Sequence, residues 1–131
     1  MANALYPFAK AQLQRKAIDM VNDTIKVSLI DTASYTYSSA HKYYTSLGGV
    51  TATATLGTKA VADSGTFSAA NSTFTAATGA QSEALVIWRD SGVAGTSELI
   101  EYIDTGVTGL PVTPNGGDIN ITWNASGIFT L

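Results

Sequence analysis

Glu83-Ala-Leu-Val-Ile-Trp-Arg89 is apolar at every position between its two charged ends. A half-wet strand alternates polar and apolar side chains; this one does not, so it reads as a central strand covered on both faces. Downstream, Ser91-Gly-Val-Ala-Gly95 has the length and composition of a hairpin turn, and Ser97 to Asp104 reads as the partner strand. Glu101 interrupts the apolar run Leu99, Ile100, Tyr102, Ile103. With Arg89 at the end of the partner strand, a cross-strand Arg89–Glu101 ion pair is expected.

Working outward, the same grammar recurs. In Thr24 to Asp31, Ile25, Val27 and Leu29 face one way while Lys26 and Ser28 face the other. Val50, Ala52, Ala54 and Leu56 alternate with Thr51, Thr53 and Thr55, a strand with a small-apolar face and a hydroxyl face. Asp63-Ser-Gly65 marks a turn between Lys59–Ala62 and Thr66–Ala69, and Ser72 to Ala76 continues in extended form. After the Gly/Pro loop Thr105 to Asp118, Ile119, Ile121 and Trp123 alternate with Asn120, Thr122 and Asn124, and Ile128 to Leu131 closes the chain. Only the opening segment has a helical period. Pro7 suits a first turn, and Ala9, Leu13, Ala17 and Met20 form one stripe, predicting a helix from Pro7 to Val21. A second, short helix is expected through His41, Tyr44 and Leu47, capped by Ser38 or Ser39 and ended by Gly48-Gly49.

Roughly seven short strands with turns every 8–12 residues define the fold class. It is mainly β, a single-domain antiparallel β-sandwich or jelly-roll-like barrel with an N-terminal α-helix. Residues 1–22 are the arm and helix, and 23–131 the β-rich body of one domain spanning 1–131. The length of 131 residues suits one such domain.

Composition excludes more than it names. Net charge is −3 and charged residues are 13% of the chain, so no nucleic-acid footprint and no polybasic membrane surface is expected. Thr, Ser, Asn and Gly must replace charge on the surface. The absence of cysteine removes disulfides, thiol nucleophiles and cysteine metal sites. No signal peptide and no membrane-spanning run is read.

Catalytic inventory is thin. His41 is the lone imidazole, and no Gly-x-Ser-x-Gly elbow accompanies it. Asp63, Asp90, Asp104 and Asp118 stand singly at strand ends without calcium-loop spacing, and read as turn residues. Glu98 and Glu101, three apart in a strand, point to opposite faces and cannot act as an acid/base pair. No catalytic residue, metal ligand or cofactor is assigned. Tyr35, Tyr37, Tyr43 and Tyr44 form a tyrosine cluster, read as a subunit interface in preference to a sugar-stacking platform.

Several stretches, Met1-Ala-Asn-Ala-Leu-Tyr6, Asp23 to Thr32, Tyr35 to His41 and above all Thr108-Gly-Leu-Pro-Val-Thr-Pro-Asn-Gly-Gly-Asp118, resemble a family of small structural proteins of tailed bacteriophages. The resemblance runs end to end, and the family includes head decoration, or cement, subunits. It implies a non-enzymatic building block of the virion capsid, synthesised in the host cytoplasm, that binds the outer surface of the head lattice. The alternative is a tail or fibre module for host attachment. The implied partners are the major capsid protein and further copies of the chain as a homotrimer, with no nucleic acid and no membrane. Expected lattice or subunit contacts are Leu5, Tyr6 and Phe8 in the arm, and Leu110, Pro111 and Pro114 in the loop. The competing reading is that Phe8 and Leu110 cap the sandwich core.

Overall fold

The structure, a computed structural model, describes residues 3–131; Met1 and Ala2, which open the first family-like stretch, lie outside them. The body is built on a five-stranded antiparallel sheet. Its strands are β1 (Ala4–Leu5), β2 (Ile25–Ile30), β3 (Val50–Thr55), β7 (Ala84–Arg89) and β8 (Leu99–Ile103), in the order β1-β8-β7-β2-β3. The apolar run that lacks alternation is β7, and it lies at the centre. From Ala84 to Trp88 every residue is buried, with β8 on one side and β2 on the other.

Two smaller sheets complete a β-sandwich-like architecture. β4 (Ala60–Val61), β5 (Thr66–Ser68) and β10 (Phe129–Thr130) make one, in the order β10-β5-β4, and β6 (Ser72–Phe74) pairs with β9 (Ile119–Ile121) in the other. All pairings are antiparallel, and none of the sheets closes on itself. Register assigns each face of the main sheet. Leu5, Glu101, Ile87, Val27 and Ala54 form one row, and Ile103, Leu85, Leu29 and Ala52 the next, on the same face. These belong to one continuous core with Phe67, Phe74, Ile119, Ile121 and Trp123 from the smaller sheets. The opposite face carries Tyr102, Val86, Ser28 and Trp88, and the chain between β2 and β3 covers it with aromatic rings.

The predicted N-terminal helix is cut short. α1 spans Pro7–Gln14, not Pro7 to Val21. Arg15 caps it, Lys16 adopts φ 63°, the Lys16 amide donates to Leu13 O at 3.2 Å and the Ala17 amide to Gln12 O at 2.8 Å. That bond pair is a Schellman stop, ordinarily signalled by glycine at the left-handed position. Ile18 and Met20 are nevertheless buried, which is why a helical stripe continues in the sequence after the helix has ended.

The second expected helix reduces to one 3-10 turn, Tyr44–Ser46. Ser38 Oγ accepts from Ala40 N at 3.2 Å in a local turn without nucleating a helix. Lys42 to Tyr44 is instead extended against the start of β8, where Leu99 N donates to Lys42 O and Tyr44 N to Ser97 O. Backbone bonds to the start of β8, which β1 does not reach, outcompete the short helix, which would have gained few bonds of its own.

Candidate interaction surfaces and the buried polar groups

The tyrosine cluster is assembled by two segments that cross β8. Tyr6, at the start of α1, is fully buried, and its hydroxyl lies 2.7 Å from that of Tyr35, also buried. Tyr35 Oη lies 2.8 Å from His41 Nδ1. Either hydroxyl of the Tyr6–Tyr35 pair can be the donor, and the direction of the Tyr35–His41 bond follows the imidazole tautomer. Burial pushes the Tyr6 and Tyr35 hydroxyls above their ordinary range, so both stay protonated as donors. Tyr37 packs on Tyr6 at 4.9 Å and on Tyr102 at 5.8 Å, and Tyr44 on Trp88 at 4.4 Å. Trp88 in turn donates its indole N–H to Ser28 Oγ at 2.9 Å.

This arrangement sorts the residues read from sequence. Tyr35 is buried and engaged at its hydroxyl, while Tyr37, Tyr43 and Tyr44 are half-buried against neighbouring rings. They do not form one flat stacking platform. In the arm, Tyr6 is a core residue rather than an exposed contact, because its ring fills the space between Tyr37 and the hydroxyl of Tyr35. Leu5 and Phe8 are half-buried, Phe8 meeting Tyr43 edge-on at 5.3 Å with Lys42 Nζ 5.2 Å above its ring. The arm is also clamped beyond β1: Asn3 Oδ1 accepts from the amides of Asp104 and Thr105, and its amide donates to Thr105 O.

The Leu110–Pro114 loop divides similarly. Pro111 is exposed, Leu110 half-buried and Pro114 buried, so Pro114 belongs to the body and not to a free surface. The loop is bolted down. Val112 exchanges backbone bonds with Ser82, Gly116 N donates to Ala77 O at 2.7 Å, and the Leu110–Pro111 peptide is cis. Leu110 and Pro111 form one wall of a groove of about 460 Å³, whose other wall is Thr32, Glu83, Tyr102 and Asp104. Glu83 is held there by Thr32, which donates both its amide and its hydroxyl at 3.0 Å.

A second surface was not legible in the sequence. Val21, Val61 and Leu131 are among the most exposed large apolar side chains, and they gather with Leu13, Phe67 and Phe129 around an apolar groove. The irregular chain after α1 makes this patch, and irregular chain leaves no periodic signal.

The expected Arg89–Glu101 pair does not form. Arg89 binds Glu98 through Nη2 at 2.6 Å and Nε at 2.8 Å, and Gln12 adds a third bond to the same carboxylate. An irregularity in the β7–β8 register, between Ile87 and Trp88, sets Trp88 opposite Leu99 and Ile87 opposite Glu101. Glu101 therefore sits two residues from the arginine in the ladder, between Leu5 and Ile87. It is 5% exposed, its Oε1 has no hydrogen-bond partner, and burial pushes its carboxyl up to about 8.

Among the described residues, no group of three or more His, Cys, Asp or Glu side chains could hold a metal ion, and no helix is long and apolar enough to cross a membrane. The fold is thus a mainly β, antiparallel sandwich with one helix near its N-terminus. Compared with known protein families and with curated proteins, the chain matches none.

Proposed function

We propose that this chain is a bacteriophage structural protein that decorates the outer surface of the head lattice as a cement subunit. The observation that carries the reading is the run Leu110-Pro-Val-Thr-Pro-Asn-Gly-Gly-Asp118, which resembles the phage family and is held as an ordered clasp by its bonds to Ser82 and Ala77. A cement subunit works by adding contact area that must be broken before the shell opens. Surface fixed in advance loses little entropy on docking, which favours a bolted loop over a mobile one. Pro111, half-buried Leu110 and the Leu5–Phe8 edge are the contacts we assign to the lattice or to neighbouring copies.

The chemistry of the polar groups supports a non-enzymatic role. The lone imidazole is tied to Tyr35, Glu98 is neutralised by Arg89, and Glu83 accepts from Thr32. The partners in this reading are the major capsid protein and other copies of the chain as a homotrimer, in the virion after synthesis in the host cytoplasm. No cofactor, nucleic acid or membrane enters it.

Heads purified without the protein, then mixed with it, test the reading. Added protein is expected to bind the heads and raise the temperature at which they release DNA. Heads that neither bind it nor gain stability would contradict the proposal. Loss of host adsorption with normal head stability would point to the tail or fibre module instead.

A further inference from the structure

The seven basic residues lie toward the same end of the main sheet, which also holds the carboxylates Asp19, Asp23, Asp90 and Glu98. At that end β2 begins, β7 finishes and β8 begins. Three of the seven are held by Asp or Glu residues: Lys26 by Asp90 at 2.9 Å, Arg89 by Glu98, and Lys59 by the Asp23 carbonyl. The other four are Lys10 on α1, Arg15 and Lys16 at its stop, and Lys42 beside β8. All four are exposed, and among the described residues none has a carboxylate within ion-pair distance.

At the opposite end the strands open directly onto carboxylates. Asp31 follows β2 and Glu83 precedes β7. No Lys or Arg occurs after Arg89, so the segments of the chain's final third bring no side-chain cation there. The molecule is polarised along its strands.

We infer that copies of this chain dock head to tail, the cationic end around Lys10, Lys16 and Lys42 of one copy seating on the Asp31–Glu83 end of the next. The occupant is a second copy because each molecule carries both complementary surfaces. Unlike surfaces make a heterologous contact, which closes into a ring when the rotation per subunit fits. Exposed ion pairs are individually weak. They set approach and orientation more than tightness, and salt screens them. The contact rests on the self-association in the proposed function and names the surfaces that meet; its test uses the purified chain alone, so its failure is distinguishable from a failure to bind heads.

Sedimentation equilibrium on the full chain tests this at low salt and at roughly 0.5 M salt, where screening falls to a few ångströms. Two double variants keep the local structure. Lys10→Glu with Lys42→Glu changes exposed side chains only; Asp31→Asn with Ala33→Lys retains the side-chain oxygen that accepts from the residue 33 amide. Circular dichroism and melting confirm that each is folded. The wild type is expected to self-associate at low salt and to weaken about tenfold or more at high salt. Each variant alone stays monomeric, and an equimolar mixture of the two associates again, because reversed ends match each other. A wild type that is monomeric at low salt, an oligomer indifferent to salt, or a mixture that fails to associate would overturn the inference.

Discussion

Glu101 keeps its carboxyl between Leu5 and Ile87, where water is excluded and no cation reaches it. Its folded-state value of about 8 lies above the ordinary 4.5, so the folded protein holds a proton that the unfolded chain has released. The stability contributed by Glu101 is therefore fully present below about pH 4.5 and is lost as pH rises toward 8, a few kcal/mol in order of magnitude. Glu101→Gln is expected to melt close to the wild type in acid and increasingly above it as pH rises, measured by thermal unfolding across that window. Arg89 and Glu98 form an ion pair whose members depend on each other. Glu98→Ala leaves the guanidinium, 22% exposed, with Asp23 Oδ2 at 3.9 Å as its remaining carboxylate, and is expected to cost about 1–3 kcal/mol in denaturant titration. The sequence reading pairs Arg89 with Glu101, whereas the structure pairs it with Glu98. The choice was settled by one register irregularity between Ile87 and Trp88, a backbone event no side-chain pattern announces.

Elements with a clear period were legible almost to the residue. β2, β3 and β7 follow from alternation or its absence, and the Asp63–Gly65 turn from residue type, with Gly65 at φ 86°. The stop of α1 was not, because Lys16 occupies a left-handed position that sequence reading reserves for glycine. Lys16→Gly is accordingly expected to stabilise the fold by about 1 kcal/mol, read as a rise in melting temperature. The central strand carries more weight. Ile87 is fully buried and flanked by Val27 and Glu101 in its row, and Ile87→Ala is expected to lose about 2–5 kcal/mol by equilibrium denaturation. The tyrosine segment misled the reading for a related reason. Its hydroxyls and backbone are spent on Tyr6, His41 and the edge of β8, all distant in sequence or out of period.

Across the whole molecule, burial has taken some of the surface that composition offered. Tyr6 and Pro114 are core residues, and the arm and loop that carry them are fastened to β8 and to Ser82. What remains for partners is a rigid, weakly charged body with a fixed loop, an apolar groove around Val21, Val61 and Leu131, and opposite charge at its two ends. Such a body suits a subunit repeated many times on a lattice, where each contact is modest and the number of contacts is large. The copy number of this chain in purified virions, by gel densitometry against the major capsid protein, tests that account most directly. A ratio near one to one is the predicted result for a cement subunit. A handful of copies per particle would contradict it and place the chain at a vertex, tail or fibre.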